Sequence, residues 1–215
     1  MKGFVLRCGA LEFEHLARIP YPSDDDDNSV PRFWLVLDEV VDPQNLGALL
    51  RSSYFLCGSG NNRMGILVCS KNSAPPSPVV SAASAGALEL LDVYSTSSLP
   101  KTLSTAREDG FRIIGAASSR PKRVDDESAA LYDLQNLPPS DNNQPTLLVL
   151  GSEGHGLRTL VARLCTEFVR IPRGDVMFGN DDENEDGTNS SGIVDSLNVS
   201  VTGGILLWHL LYGNK

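Results

Sequence analysis

The sequence predicts an α/β fold, a mostly parallel sheet flanked by helices, and three observations carry that expectation. Short, largely apolar runs recur at 33–37, 65–69, 111–116 (which contains Arg112) and 147–150. They lack polar alternation, as strands buried on both faces do. Between them lie stretches with helical spacing of apolar residues, and strands alternating with helices at this interval are built from parallel βαβ units. The composition, 41% hydrophobic and 21% charged over 215 residues, is that of a globular chain long enough for one sizeable core.

Taken in order, residues 1–31 hold a short apolar piece at 3–6, then Pro20, Pro22 and the run Asp24 to Asp27, read together as solvated linker. The folded domain is expected to start near Arg32 and run to 215. After the strand 33–37 comes a loop, 38–45, in which Pro43 biases Asp42 away from helix. A helix follows from Leu46 to about Cys57, with Leu46, Leu49, Leu50 and Phe55 mostly on one face and Arg51 nearer the other. Residues 65–69 read as a strand and 78–91 as a helix rich in Ala and Ser. A helix over 98–109 is closed by Gly110 at its C′ position. The strand 111–116 ends at Ala117, and 120–145 is polar and Pro-rich enough to read as a long connection. Strand 147–150, a helix over 157–165 and a strand 168–171 come next. Residues 174–192 are mostly Asn, Asp, Glu, Gly and Ser, which predicts a disordered acidic insertion. The final helix, through Leu211, is so apolar at Ile205, Leu206, Leu207, Leu210 and Leu211 that more than one of its faces must be covered.

The net charge of −9 argues at first against nucleic acid, since phosphate binding needs a basic surface. Nine of the 27 acids, however, lie in two tracts, Asp24 to Asp27 and Asp181 to Asp186; the rest balance the 18 Lys and Arg. The body is therefore close to neutral. Cys8, Cys57, Cys69 and Cys165 are scattered, without a C-x-x-C pair or a histidine at ligand spacing, which predicts neither a metal site nor a disulfide framework. No apolar run approaches the length of a membrane span, and no signal or transit peptide is visible.

The stretch of greatest chemical interest is 146–156, an apolar strand that breaks into Gly151-Ser152-Glu153-Gly154-His155-Gly156. In an open α/β sheet ligands sit beyond the carboxyl ends of the strands. Three glycines point to a phosphate cradle, but the charge of Glu153 would repel a phosphate held on backbone N–H groups, so a neutral or cationic ligand fits better. An ordinary strand-to-helix turn with a surface glutamate is the plain alternative. Likewise Asn45 and Ser196 could be helix caps and Arg51 a solvated helix residue.

Together these clusters resemble the three ordered motifs of the SpoU/TrmH family of SPOUT RNA 2′-O-methyltransferases. The resemblance rests on Leu37-Asp38 through Asp42-Pro43-Gln44-Asn45-Leu46-Gly47 to Arg51, on Leu150-Gly151-Ser152-Glu153-Gly154 to Gly156, and on Ile171-Pro172 with Ser196-Leu197-Asn198-Val199-Ser200. Residues 77–81 and 203–207 resemble in particular the branch that modifies a guanosine of mitochondrial large-subunit ribosomal RNA. The resemblance implies a C-terminal trefoil knot, an exception to the rule that chains avoid threading. It implies a site for S-adenosyl-L-methionine lined by Ala117, Leu150, Gly151, Gly156, Ile171, Pro172 and Leu197. It places Arg51, Asn45, Glu153, Ser196 and Asn198 in the catalytic group, with Glu153 a candidate partner for Arg51. A homodimer through the C-terminal helix, a mitochondrial location and the loss of a small N-terminal RNA-binding domain also follow from it.

The implied chemistry is attack of a ribose 2′-hydroxyl on a sulfonium methyl. In the family the arginine matching Arg51 is the proposed base, yet guanidinium is effectively never neutral in proteins. Binding the neighbouring phosphate and stabilising the developing alkoxide is the alternative role. Two further readings stay open at this stage: a transfer RNA methyltransferase of the same family, and an inactive relative that binds RNA or ribosome. The acidic insertion, inside a loop that is normally short, and Arg173, where bacterial relatives commonly have methionine, depart from the family pattern.

Overall fold

Strand β2, Phe33–Leu37, sits near the middle of an eight-stranded sheet in which every pairing is parallel. The structure is a computed structural model, and it describes residues 9, 11–23, 30–57, 64–121, 129–141, 144–174 and 196–213. The strands are β1 Glu14–His15, β2, β3 Met64–Cys69, β4 Val93–Thr96, β5 Arg112–Ala116, β6 Leu131–Asp133, β7 Thr146–Leu150 and β8 Glu167–Arg170. They lie in the order β1-β4-β3-β2-β7-β5-β8-β6. From β2 the chain moves outward to β3 and β4, then crosses to the far side of β7 to lay down β5. Ligand crevices form at such reversals of strand order, beyond the carboxyl ends.

Helices α1 (Pro43–Cys57), α2 (Pro78–Ala83), α3 (Leu99–Glu108), α4 (Thr159–Ala162) and α5 (Val199–Trp208) cover both faces. The alternation along β2 shows how the two cores are divided. Leu35 and Leu37 pack with Leu46, Leu49 and Leu50 of α1 and Leu206 and Leu207 of α5. Trp34 and Val36 pack in the opposite core with Leu99 and Leu103 of α3 and Val161 of α4. With both faces buried, the strand has no polar position, which is why it reads as a continuous apolar run.

Several boundaries differ from expectation for local reasons. Helix α1 begins at Pro43, because Pro is tolerated at the first helical position and Asp42 Oδ1 accepts a hydrogen bond from Gln44 N at 2.9 Å. Asp42 is thus the cap, and Asn45 lies inside the first turn. The helix expected over 78–91 stops at Ala83: Ala85 (φ 53°) and Gly86 (φ 85°) turn the chain, a 3-10 turn Ala87–Glu89 follows, and β4 occupies residues read as connection. Strands β1 and β6 also lie in segments expected to be connections; both are edge strands of two or three residues. The packed body takes in chain ahead of Arg32, since Ile19 is buried with the α3 core. Helix α4 is a single turn, because 157–158 belong to the preceding loop.

Residues 1–8, the Asp24 to Asp27 run and most of the acidic insertion (175–195) lie outside the described residues, as does the passage on which a trefoil knot depends. No helix among the described residues is long and apolar enough to cross a membrane.

Candidate active site

A cleft of about 890 Å³ opens at the carboxyl ends of β5, β7 and β8 and the start of α5. All seven residues expected to hold a cofactor line it: Ala117, Leu150, Gly151, Gly156, Ile171, Pro172 and Leu197. Glu153 and Ser196 line it as well. Ala116, Leu150, Ile171, Leu197 and Leu206 give it apolar wall, while polar groups come from the loop after β7 (Ser152, Glu153 and His155) and from Ser118, Ser119, Arg170, Arg173, Ser196 and Thr202.

That loop is closed on itself. Ser152 N donates to Gly156 O (3.0 Å), Gly156 N to Ser152 O (2.9 Å), and His155 N to Ser152 Oγ (3.2 Å). Gly156 holds a left-handed φ of 66°. At Gly151 a Cβ would lie 2.2–2.4 Å from backbone atoms of Gly156 and Leu157, so only glycine lets the two ends of the loop meet. Three N–H groups of the loop are thereby occupied internally, and the phosphate cradle read as one possibility in the glycines is not what the loop builds.

Three predicted residues from three motifs meet beside the cleft. Asn198 Nδ2 donates to Asn45 Oδ1 (2.9 Å) and Glu153 Oε1 (3.1 Å), while Asn45 Nδ2 donates to Glu153 Oε2 (3.2 Å). Asn198 Oδ1 accepts from Ser200 N (2.8 Å) and Ser200 Oγ (2.6 Å), so it caps α5. The backbone N–H fixes which end of that amide is oxygen, and the NH₂ must then face Asn45 and the carboxylate. Asn198 therefore caps α5 and binds Asn45 and Glu153 at once. Asn45 is buried, and Glu153 is exposed toward the cleft.

Arg51 is not brought to this group. It is exposed on α1 and lines a separate hollow of about 690 Å³ with Tyr54, Phe55, Leu90, Gly204 and Trp208. The bonded partners of Glu153 are the two amides. The sequence reading also passed over a pair: Asp38, wholly buried at the end of β2, and Arg158, whose N–H and guanidinium both reach its carboxylate. An acid directly after a buried strand is the signal that was present for it.

Residues 32–177 match the model of the SpoU rRNA Methylase family, a span that contains β2 through β8 and the glycine loop. The chain belongs to the SpoU rRNA methylase family. Among relatives of this SpoU chain, rRNA methyltransferase 1, mitochondrial, of Homo sapiens is 38% identical over 187 residues, covering 86% of this chain and 46% of that protein. The protein of the same name in Schizosaccharomyces pombe is 36% identical over 189 residues, covering 88% and 54%. In Dictyostelium discoideum it is 35% identical over 180 residues, covering 83% and 28%. The chain thus spans about half or less of the length of these relatives. Two solved structures share the fold: an AdoMet-bound rRNA methyltransferase from Sinorhizobium meliloti (TM-score 0.60, 18% identity, 91% of this chain and 59% of that one), and the SpoU methyltransferase AviRb from Streptomyces viridochromogenes (TM-score 0.59, 22% identity, 90% and 65%).

Two of the described cysteines are poorly placed for chemistry. Burial pushes the Cys165 thiol up to about 12 and the Cys57 thiol up to about 11, which leaves both protonated and weakly nucleophilic near neutral pH. Cys57, Cys69 and Cys165 are free thiols.

Proposed function

We propose that this chain transfers a methyl group from S-adenosylmethionine to the ribose 2′-hydroxyl of a guanosine in mitochondrial large-subunit ribosomal RNA. The observation that carries the reading is convergence: residues from two of the three motifs of a SpoU-family chain line one cleft, and Asn45 of the remaining motif joins Asn198 in holding Glu153 at its edge. The residues fit the cofactor. Apolar walls at Ala117, Leu150, Ile171 and Leu197 suit an adenosine and an aliphatic chain, and a carboxylate beside the loop suits a sulfonium while opposing a phosphate. When bound there, S-adenosylmethionine supplies an electrophilic methyl.

The chain's own residues then have three tasks. Leu150, Gly151, Gly156, Ile171, Pro172 and Leu197 shape the donor site and exclude water from it. Asn45 and Asn198 orient Glu153, whose carboxylate keeps acceptor positions for the incoming ribose, and Ser196 adds a hydroxyl to the same cleft; alignment of the reacting groups is where such catalysis gains most. Arg51, a cation at every working pH, binds RNA phosphate next to the attacked ribose.

The position of Arg51 ties that role to a homodimer. Beside it lie Phe55, 84% exposed, and Trp208, 57% exposed, with Val201, Ile205 and Tyr212 continuing the apolar face along α5 and past its end. An apolar face of this kind is characteristic of an interface. A dimer built on it carries Arg51 to the junction between the two copies, within reach of RNA lying across both. The mitochondrial location rests on the names of the relatives.

Two measurements test the proposal. Titration calorimetry should show S-adenosylmethionine binding that is lost on substitution in the cleft, and no heat with the wild-type chain would sink the donor assignment. Methylation of ribosomal and transfer RNA transcripts, with the modified ribose mapped, should find a guanosine 2′-O-methyl in the ribosomal one. Modification of transfer RNA alone would replace the substrate and leave the donor site standing.

A further inference from the structure

Asp38 holds both ends of the loop that lines the cleft. Its backbone N–H donates to Leu150 O at 2.8 Å, extending the β2–β7 ladder to the last residue before Gly151. Its carboxylate reaches the other end: Oδ2 accepts from Arg158 N at 3.0 Å and Oδ1 accepts from Arg158 Nε at 2.6 Å, with Nη2 in ion-pair contact 2.5 Å from Oδ1. Residues 151–157, all of which line the cleft, are the chain between those two attachments.

We infer that Asp38 is a positioning residue for the methyl donor, acting through Leu150 and Arg158 to set the span of the 151–157 loop. The carboxylate has no exposure to solvent, so its charge depends on Arg158 for compensation and cannot drift away from it. The neighbouring residue reinforces the attachment. Glu39 has a left-handed φ of 63°, its Oε1 accepts from Asn72 Nδ2 at 2.8 Å, and the same oxygen lies 3.6 Å from Arg158 Nε. A non-glycine residue keeps that conformation where its surroundings over-determine it. The exit of the donor loop is thus bound to two consecutive acids and, through Asn72, to the turn after β3. The loop's own cross-bridge between Ser152 and Gly156 fixes its interior, and Gly151 leaves no slack, so displacement at Arg158 passes directly to the cleft wall.

A purely structural ion pair makes a different prediction, and the molecule contains one for comparison. Arg112 and Glu167, with side chains 8% and 13% exposed, pair at the amino ends of β5 and β8, away from the cleft. Asp38→Asn keeps an acceptor for Arg158 N but removes the charge, and Arg158→Lys keeps a charge but removes the fork. Both, with Glu167→Gln as control, are to be compared with the wild-type 215-residue chain in two readouts. The first, hydrogen exchange at the amides of Ser152, His155 and Gly156, needs no ligand. Exchange should accelerate in both Asp38 and Arg158 variants and not in the control; unchanged exchange in Asp38→Asn, or equal acceleration in Glu167→Gln, would overturn the inference. If Asp38→Asn fails to fold, Arg158→Lys decides on the same criterion.

The second readout, affinity for S-adenosylmethionine, rests on the donor assignment above. Asp38→Asn should weaken it roughly tenfold, Arg158→Lys by less, and Glu167→Gln by no more than a factor of about two. Binding as tight in Asp38→Asn as in wild type would refute the positioning role. A wild-type chain that binds no S-adenosylmethionine would instead remove the donor assignment, while the exchange rates would still decide whether Asp38 sets the loop.

Discussion

The two ends of the parallel sheet are polar in different ways. At the amino end, Arg112 and Glu167 open β5 and β8, and the guanidinium also donates to Ser140 Oγ and Pro138 O, both at 2.8 Å. Its backbone N–H goes to Pro145 O. All three guanidinium nitrogens there are directed at protein acceptors. At the carboxyl end, Glu153 accepts two hydrogen bonds, from Asn45 and Asn198, where an ionised carboxylate offers roughly four lone-pair positions. That end also carries the cleft. A buried or clustered charge does not by itself mark a site; what separates the two ends is whether the polar group's bonding capacity is used up by the fold or left facing a space.

The sharpest way to break that distinction is to remove one member of each end. Glu167→Gln leaves the Arg112 charge buried and without its anion, and should cost about 3 kcal/mol of stability. It should leave S-adenosylmethionine affinity unchanged. Denaturant melts and calorimetry on the same sample check both halves, and a loss of affinity would show that the amino end reaches the site. Gly151→Ala acts on the carboxyl end. The added Cβ must displace backbone that lies 2.2–2.4 Å away, so the loop ends part and donor affinity should fall by about 100-fold. Stability should fall as well, by about 1–3 kcal/mol, since the atoms in the way are backbone. Equal affinity in this variant would mean that the cleft is not where the donor binds.

The same contrast between used and unused surface runs around α5. Val199, Gly203, Leu206 and Leu207 are buried against α1 and β7, whereas Trp208 packs against Tyr212 with 5.0 Å between ring centroids and the rings tilted by 38°, and is largely exposed. Exposed tryptophans at the centre of apolar faces carry a large share of association energy. Trp208→Ala should weaken self-association by about 2 kcal/mol without changing the donor affinity of each chain. Light scattering over a dilution series reads it, and a wild-type chain that stays monomeric throughout would remove the dimer from the proposal.

What could be read without coordinates follows from how strongly each element advertises itself. β2 and β7 are five apolar or β-favouring residues buried on both faces, and such runs have few alternative readings. β1, β4 and β6 are two to four residues long, and β1 and β6 lie at the sheet edges, where register comes from the neighbour rather than from their own pattern. The Ala- and Ser-rich stretch after Pro78 has helix propensity throughout, but Ala85 and Gly86 adopt positive φ and end it. In the site, the places of the cleft-lining residues were legible because glycine and strand ends have fixed meanings in an α/β sheet. Arg51 was not, although helix geometry contains the reason: six residues beyond Asn45 on α1 it lies roughly 9 Å further along the axis and some 120° around it. Asp38 carried a weak signal because a single acid after a strand has many uses, and only its burial against Arg158 selects one.

The smallest expected effect tests whether Asn198 is retained as a cap or as an amide. Asp and Asn cap helices about equally well, so Asn198→Asp preserves the acceptor for Ser200 N and Ser200 Oγ. It also replaces the NH₂, now 3.1 Å from Glu153 Oε1 and 2.9 Å from Asn45 Oδ1, with oxygen. Two hydrogen bonds become contacts between acceptors, and one of them is between carboxylates. Because Glu153 is exposed, solvent screens much of the repulsion, and the loss of stability should stay below about 1 kcal/mol. Added salt should recover most of it. On the role proposed for Glu153, methyl transfer should fall by more than stability does, since that carboxylate loses its neutral partner, and salt should not restore the geometry. If Asn198→Asp turned over at the wild-type rate, the residue would be a helix cap alone, and the contrast drawn between the two ends of the sheet would rest on Glu153 and Asn45.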